Sequence, residues 1–307
     1  MNPGQTVVYE APAKLNLCLF LGPLRGDGLH SICSLFQPID LCDRVSISEM
    51  DSGGDRVVCP GIEGEDLAAR ALRMIREAGL DLPPLEVVIE KRIPVAAGMG
   101  GGSADAAAVL RHARRVLGET SVPALSDLAS RIGSDVLAQS GLWSQAATGS
   151  EVARSIVSGN GSEVELAPAG DGFAAVLITS RQGLSTAAVY AEADRMGLAR
   201  TEPELAGVAD SLRHGSSGLP LVPEEAVVND LQAAAISLRP ELEDHLVTLR
   251  EVGASSVLVT GSGPTVYGAF PDEREAHRAA SELESRGITG VLVTGPLGAG
   301  SVAEAGS

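Results

Sequence analysis

A cluster of glycines is the part of this sequence whose residue types point most directly to chemistry. The segment IPVAAGMGGGSADAAAV, residues 93–109, carries four of them, namely Gly98, Gly100, Gly101 and Gly102. Glycines let backbone N–H groups converge on an anion without obstruction by Cβ atoms, and a following helix adds unpaired donors and the positive end of its dipole. The segment therefore predicts a phosphate-binding loop, with Ser103 as the N-cap of an alanine-rich helix. A flexible turn is the plain alternative.

Two common nucleotide motifs do not fit this loop. The P-loop pattern GxxxxGK[ST] needs a lysine after its glycines, and no lysine follows them here. The dinucleotide pattern GxGxxG fails from Gly98, because Ser103 stands at its last position, and it fails from Gly100, because Asp105 does. The loop therefore predicts a phosphate site of another class.

Lysine is scarce in this chain, which draws attention to EAPAKLNLCLFLG at residues 10–22. Only Lys14 and Lys91 are lysines among the 23 lysine and arginine residues. An ammonium is a compact point charge with three donors, whereas a guanidinium is a planar fork. Lys14 therefore either does chemistry that arginine could not do or is left over in an arginine-rich composition.

The bulk composition limits the class of protein. The 307 residues are 44% hydrophobic and only 3% aromatic, which predicts a substantial aliphatic core. The net charge of -17 argues against a nucleic-acid or anionic-membrane partner, because both require a broad cationic surface. A small polyanion bound in a local site remains compatible with this charge, and the oligomeric state stays open.

The cysteines and the apolar runs indicate a compartment. Cys18, Cys33, Cys42 and Cys59 form no CxxC pair and have no histidine pair at zinc-ligand spacing, so we expect reduced thiols. No apolar run approaches the length of a membrane span, and the N-terminus lacks the pattern of a signal peptide. These features predict a cytoplasmic protein.

Hydrophobic periodicity predicts the elements that must position the loop and Lys14. In the first half we expect strands at 6–21, 44–49 and 84–94 and helices at 64–79, 103–118 and 123–133, followed by a short irregular region. From about residue 160 the predicted order is β-α-α-β-β-α-β. This order favours an antiparallel α+β layer over a parallel doubly wound sheet.

Four blocks of the sequence resemble the GHMP kinase superfamily. They are APAKLNLCLFLG, RGDGLHSICSLFQPIDLCDRVSI, KRIPVAAGMGGGSADAAAVL and VTGSGPTVYGAF, in the family's order, supported by IGSDV and AAAISLRPEL. The resemblance implies a two-lobed α+β fold with the active site in the cleft between the lobes. We expect a ribosomal-S5-like N-terminal lobe at 1–158, which binds the nucleotide, and a ferredoxin-like C-terminal lobe at 159–307, which binds the substrate.

The resemblance also implies an activity. It is the transfer of the γ-phosphoryl group of ATP, with Mg²⁺, to the C2 hydroxyl of a methylerythritol that carries a cytidine diphosphate, in the non-mevalonate isoprenoid pathway. In the family's pattern Asp135 takes the proton from this hydroxyl, and Lys14 stabilises Asp135 and the attacking oxygen. The alternative without a catalytic role is that Asp135 is a carboxylate in a turn and Lys14 a surface lysine.

The family's binding residues are carried over by position. For ATP they are Pro94, Gly98, Gly100, Gly101, Gly102, Ser103, Asp66 and Leu67, with Ser103 also a candidate Mg²⁺ ligand. For the substrate they are Asn16, Leu29, His30, Thr186, Tyr190, Gly261, Ser262 and Gly263. A structural histidine, a core-facing tyrosine ring and a plain hairpin turn are the alternatives for His30, Tyr190 and residues 261–263.

Three segments depart from the family's pattern. GYH reads GLH, which places the aliphatic Leu29 where an aromatic ring would stack on the cytosine. ENL reads EDL, which replaces a donor amide with the acceptor-only carboxylate of Asp66. After Asp135, VPFFLRGGTALATG reads VLAQSGLWSQAATG, a change that the sequence alone does not explain.

These departures leave two other functions open. One is a GHMP kinase for another small alcohol, of the homoserine or mevalonate type, with a remodelled cytosine pocket. The other is a catalytically inactive relative that only binds nucleotide, although the presence of both Lys14 and Asp135 argues against it.

Overall fold

The structure is a computed structural model of the chain. It describes residues 6–61, 66–143, 152–168, 170, 172–180, 182–214 and 227–298. Of the residues singled out from the sequence, Glu65 in the EDL segment lies outside the described residues, as do residues 144–149 of the segment that ends at Gly149.

The first lobe is built on two long antiparallel strands, β1 (Thr6–Leu24) and β2 (His30–Glu49). The other strands of this sheet are β3 (Arg56–Val58), β4 (Leu85–Glu90), β5 (Ser155–Gly159) and β6 (Glu163–Leu166). β2 pairs with β1 on one edge and with β4 and β5 on the other, while β3 and β6 lie at the ends of the sheet. β2 is therefore paired along both of its edges.

Helices cover one face of this sheet. They are α1 (Leu67–Glu77), α2 (Gly101–Leu117), α3 (Val122–Ile132) and the short α4 (Val136–Ser140), with a 3₁₀ turn at Glu119–Ser121. α2 is buried along residues 104–113, because its alanines let it lie close to β1 and to the neighbouring helices. This central position brings its N-terminus, and with it the glycine loop, next to the middle of β1.

The second lobe is a four-stranded antiparallel sheet with helices. Its elements are β7 (Ala174–Ile178), α5 (Thr186–Met196), α6 (Glu202–His214), α7 (Gln232–Leu238), α8 (Glu241–Glu251), β8 (Ser256–Val259), β9 (Val266–Phe270), α9 (Glu273–Ser285) and β10 (Val291–Thr294). The strand order β10-β7-β9-β8 is that of a ferredoxin-like sheet. The predicted antiparallel α+β layer is confirmed.

β1 joins the two lobes. Beyond its pairing with β2, Leu19 forms a parallel bridge with Asn229, and its N–H donates to the carbonyl of Val228 at 2.8 Å. Side chains of β1 and of β9 also share one apolar cluster, in which Leu15 and Tyr267 are fully buried. The residues of β1 therefore face both lobes at once.

The structure corrects several sequence predictions in the first lobe. β2 begins at His30 rather than near residue 44, because its first half is buried on both faces and lacks the alternation that marks a half-buried strand. Ser103 is the third residue of α2 and not its N-cap; Gly100, with φ 71°, occupies the cap. α4 fills the region expected to be irregular.

Two further differences concern the second half of the chain. α6 was not predicted, although its buried residues, Leu205, Ala209 and Leu212, recur at helical spacing. The expected lobe division at 158 and 159 falls inside β5, and β6 also belongs to the larger sheet. A division that keeps each sheet whole lies between Leu166 and Ala174.

No helix in the described residues has the length and apolarity needed to cross a bilayer.

Candidate active site

The structure brings Lys14 and Asp135 together, although 121 positions of sequence separate them. The ammonium of Lys14 lies 3.4 Å from Oδ2 of Asp135. The side chain of Lys14 is 5% exposed and that of Asp135 is 22% exposed. The pair therefore has one buried partner and one partner that solvent, or a substrate, can reach.

Lys14 is held by β1 and its neighbours. Its ammonium donates to Oδ1 of Asn16 at 2.6 Å and lies 4.5 Å from the centre of the Phe36 ring. Its backbone N–H donates to the carbonyl of Met99, in the glycine loop, at 3.0 Å. A buried charge is tolerated only where such partners replace water, so these contacts fix the direction of the ammonium.

Asn16 is a positioning partner in this structure. It is 1% exposed, its Nδ2 donates to Oγ of Ser34 at 2.8 Å, and its backbone N–H donates to Oγ1 of Thr260 at 3.0 Å. The hydroxyl of Tyr267 donates to its carbonyl at 3.1 Å. Every polar group of Asn16 is thus engaged within the protein, and its direct contact with the substrate stays a prediction.

Asp135 stands at the start of α4. It is the N-cap residue, yet its side chain makes no capping hydrogen bond. Its Oδ1 accepts from the hydroxyl of the exposed Ser134 at 3.2 Å, and its Oδ2 faces Lys14. A carboxylate that is not used as a cap is available to accept a proton from a bound hydroxyl.

The two glycine turns pack backbone against backbone. A Cβ on Gly98 would lie 2.6 Å from the carbonyl oxygen of Thr260 and 2.8 Å from that of Gly263. Gly98, Gly261 and Gly263 all have positive φ values, of 77°, 57° and 79°. Glycine is therefore needed here both for the close approach and for the backbone conformation.

The second turn reaches the centre of the site. A Cβ on Gly261 would lie 3.3 Å from Oδ1 of Asn16 and 3.6 Å from the ammonium of Lys14. Nδ2 of the buried Asn229 donates to the carbonyls of Val259 and Gly261, each at 2.8 Å. Asn229 is not among the site residues predicted from the sequence, because a lone asparagine forms no recognisable motif.

The predicted cytosine-binding residues form a second group. The rings of His30 and Tyr190 lie 5.6 Å apart, and Nε2 of His30 lies 3.1 Å from a carboxylate oxygen of Asp194. Burial raises the pKa of Tyr190 to about 12, and the charge of Asp135 adds to this rise. Leu29 lies in the turn before His30 and is 52% exposed.

Thr186 is brought to the second glycine turn. It is the first residue of α5, and its hydroxyl lies 2.9 Å from that of Ser262. The structure therefore joins the predicted substrate residues of the second lobe to the turn that packs on the glycine loop. Their contact with a substrate stays a prediction.

The remaining predicted ATP-binding residues border the glycine loop. Leu67 lies 3.7 Å from where a Cβ on Gly102 would stand. Asp66 is the N-cap of α1, and its carboxylate accepts from the N–H of Ala69 at 2.7 Å. This capping explains why a carboxylate suits this position. Pro94 is partly buried in the segment between β4 and the loop.

A buried charged cluster underlies the loop and was not identified from the sequence. The ammonium of Lys91 lies between the carboxylates of Asp43 and Asp105, 2.7 Å from the latter. Burial raises the pKa of Asp105, while the charge of Lys91 opposes the rise. Oδ1 of Asp43 accepts from the N–H groups of Arg92 and Ile93, at 2.6 and 2.8 Å. The scarcity of lysine was the one signal that pointed to Lys91.

The described residues contain no group of three or more His, Cys, Asp or Glu side chains that could hold a metal ion by themselves. Mg²⁺ in nucleotide sites commonly uses one or two protein oxygens together with phosphates and waters. The partly exposed Ser103, in the first turn of α2, fits that limited contribution.

Models of protein families match both halves of the chain. The N-terminal domain of GHMP kinases matches residues 66–150, and the C-terminal domain matches residues 203–289. The glycine loop, Asp135 and the second glycine turn all lie within these matches. The chain belongs to the GHMP kinase family, whose members are ATP-dependent phosphotransferases.

Curated relatives narrow the comparison within this family. A protein of Mycolicibacterium smegmatis is 36% identical over 95% of this chain and 91% of its own length. One of Thermobifida fusca is 34% identical over 97% and 98%. Each is named 4-diphosphocytidyl-2-C-methyl-D-erythritol kinase.

Solved structures of GHMP kinases are similar to this chain over nearly its whole length. A crystal structure of 4-(cytidine 5′-diphospho)-2C-methyl-D-erythritol kinase has a TM-score of 0.71 at 29% identity, and covers 95% of this chain and 100% of its own. A homoserine kinase of Cytophaga hutchinsonii has a TM-score of 0.64 at 16% identity, covering 97% and 96%. The second similarity concerns the fold alone. Together they confirm the expected two-lobed GHMP kinase fold.

Proposed function

We propose that this protein transfers the γ-phosphoryl group of ATP to the C2 hydroxyl of 4-diphosphocytidyl-2-C-methyl-D-erythritol, in the non-mevalonate isoprenoid pathway. The observation that carries the proposal is the Lys14–Asp135 pair beside a glycine loop, in a chain whose full-length relatives bear the name of this kinase. The small-molecule substrate is an anion, and the site offers the ammonium of Lys14 and helix N–H donors in a protein of net charge -17.

Asp135 and Lys14 divide the work at the acceptor hydroxyl. The carboxylate of Asp135 takes the hydroxyl proton as the oxygen attacks the γ-phosphorus and the bond to the leaving ADP oxygen breaks. The ammonium of Lys14, fixed by Asn16 and Phe36, offsets the negative charge that develops on the attacking oxygen. Their separation of 3.4 Å leaves both groups within reach of one oxygen atom.

The phosphates are bound by the first lobe. Gly101, Gly102 and Ser103 begin α2, so their N–H groups lack partners within the helix and are available to the nucleotide. Mg²⁺, when bound with ATP, neutralises phosphate charge, and Ser103 is the side chain that would contribute to holding it. Leu67 and Asp66 border the loop where the rest of the nucleotide would lie.

The cytidine end is assigned to the group around His30 and Tyr190. An imidazole and a phenol ring that lie 5.6 Å apart offer polar and stacking contacts to a base. The exposed Leu29 supplies apolar contact on one side, with less stacking energy than an aromatic ring. The dependence on ATP and the free thiols favour a cytoplasmic location.

Replacement of Asp135 by alanine tests the proposal. We expect kcat with the cytidine diphosphate substrate to fall at least about 1000-fold, because the proton acceptor is lost, while the Kd for ATP stays within about twofold. Asp127→Ala is the matched control, since it removes an exposed carboxylate of α3 that forms an i,i+4 ion pair with Arg131. That control should keep wild-type kinetics.

The choice of substrate is tested with the wild-type protein. ADP release is measured with Mg²⁺ and ATP and with the cytidine diphosphate compound, homoserine or mevalonate as acceptor. Turnover only with homoserine or mevalonate would contradict the proposed substrate. ATP binding without turnover on any acceptor would identify an inactive nucleotide-binding relative.

A further inference from the structure

The segment after Asp135, which departs from the family's pattern, carries a buried glutamine. Gln139 lies in α4 and is 2% exposed. Its Nε2 donates to the backbone carbonyl of Pro12, in β1, at 2.9 Å. A buried amide with a partner on another element is a specific connection rather than a surface feature.

A second contact ties the same helical turn to β1. The guanidinium of Arg111, a buried residue of α2, donates to the carbonyl of Gln139 at 3.0 Å and to the carbonyl of Glu10 at 3.0 Å. The end of α4 is therefore attached to β1 at Pro12 directly and at Glu10 through Arg111. Both attachments are to backbone oxygens, which cannot rotate away.

These attachments close a ring around the catalytic pair. Pro12 lies two residues before Lys14, and the register of β1 against β2 shifts between them. At the other end, the N–H of Gln139 donates to the carbonyl of Asp135 at 3.1 Å. The chain of contacts runs from Asp135 through one turn of α4 to Gln139, then to Pro12, to Lys14 and back to Asp135.

Gln139 also adjoins the glycine loop. A Cβ on Gly100 would lie 2.9 Å from Oε1 of Gln139, and this oxygen is buried without a hydrogen-bond donor in the described residues. The amide cannot turn over to correct this, because Oε1 would then face the carbonyl of Pro12. The hydrogen bond to β1 therefore holds the side chain where its oxygen has no hydrogen-bond donor.

We propose that Gln139 is a positioning residue that sets the separation of Lys14 and Asp135. The one hydrogen bond of its side chain in the described residues goes to Pro12 and not to the ammonium or the carboxylate, so it acts by fixing α4 against β1. The role rests on the proposed function, because the separation of the pair matters only if both groups act on one hydroxyl. Small errors in such a separation lower the rate of the chemical step more than the binding of the substrates.

Gln139→Leu tests this role by kinetics. The variant keeps the size of the side chain and removes the hydrogen bond to Pro12. We expect kcat to fall about tenfold, while the KM values for ATP and for the acceptor alcohol stay within about twofold. Gln139→Met, whose unbranched side chain matches glutamine in length, repeats the measurement with a smaller change in packing.

Ser140→Ala is the matched control. Ser140 is equally buried in α4, but its hydroxyl bonds only locally: it donates to the carbonyl of Leu137 and accepts from the N–H of Leu142 among the described residues. The control should keep the wild-type kcat. If Ser140→Ala lowered kcat as much as Gln139→Leu does, the effect would be one of helix stability and the positioning role would be wrong.

A second measurement does not depend on turnover. Because Lys14 and Lys91 are the only lysines in the chain, the rate at which acetic anhydride modifies each can be followed by mass spectrometry, with Lys91 as the internal reference. We expect Gln139→Leu to raise the rate at Lys14 relative to Lys91 by about threefold or more, since a looser pair exposes the ammonium. Ser140→Ala should leave the ratio unchanged.

The two measurements separate this role from the proposed function. A wild-type protein without turnover on the cytidine diphosphate substrate would contradict the proposed function, whatever the labelling result. An unchanged Lys14 to Lys91 ratio in both Gln139 variants, or an unchanged kcat in an active enzyme, would contradict the positioning role.

Discussion

At the scale of single residues, the site depends on the shape of one charged group. The ammonium of Lys14 lies between Oδ1 of Asn16 and Oδ2 of Asp135, above the ring of Phe36. These neighbours come from three separate elements, so they cannot all move to admit a larger cation. A point charge fits this space, whereas a planar guanidinium would displace at least one partner.

Lys14→Arg should therefore be far from conservative. We expect kcat/KM to fall about 100-fold, equivalent to about 2.7 kcal/mol of transition-state stabilisation, because the fork cannot face both Asn16 and Asp135 and still reach the hydroxyl. Steady-state kinetics measures this, and circular dichroism checks that the variant is folded. A fully active arginine variant would reduce Lys14 to a structural ion-pair partner.

At the scale of elements, the candidate active site depends on two turns that touch through their backbones. The glycine loop before α2 and the turn between β8 and β9 approach so closely that Gly98 has no room for a side chain. Gly102 belongs to the same glycine cluster but lies in the first turn of α2, where a Cβ would meet Leu67 at ordinary van der Waals distance. Gly98 and Gly102 therefore have different structural roles, although they lie in one cluster of the sequence.

This difference predicts opposite effects of two alanine substitutions on stability. Gly98→Ala should lower the free energy of unfolding by about 2 to 3 kcal/mol, because it combines a positive φ with a clash against the carbonyl of Thr260. Gly102→Ala should raise it by about 0.5 kcal/mol, because alanine favours the helix. Urea unfolding without ligand measures both values. Equal losses in the two variants would contradict the backbone contact.

At the scale of the whole molecule, the lobes share one apolar cluster along β1. Leu15 and Leu17 of β1 lie in the same cluster as Leu258 and Tyr267 of the second sheet. The hydroxyl of Tyr267 also reaches the carbonyl of Asn16. A shared core makes the stability of each lobe depend on the other.

Tyr267→Ala tests this dependence from the second lobe. We expect the free energy of unfolding to fall by about 3 to 5 kcal/mol, because a fully buried ring and its hydrogen bond are removed. Trp143, the only tryptophan, follows α4 in the first lobe, so its fluorescence reports on that lobe. Its urea midpoint should fall together with that of the circular dichroism signal. An unchanged fluorescence midpoint would show that the lobes unfold separately.

The sequence by itself determined the class of fold and the glycine loop. The loop is local: glycine spacing and the start of an alanine-rich helix lie within a few residues, so the pattern contains the information. The α+β order of the second half, apart from α6, could also be predicted, because its strands are short and a helix such as α9 has one clearly apolar face. The full length of β2 could not, since burial on both faces removes the alternation.

Only the tertiary structure decided which distant residues meet. The separation of Lys14 from Asp135 depends on how α4 lies against β1, and the contact between the two glycine turns depends on how the lobes pack. Asn229, Asp43 and Gln139 carry no local signal, because a buried polar side chain is recognised only by its partners. Such partners are far apart in the chain, and packing rather than sequence pattern brings them together.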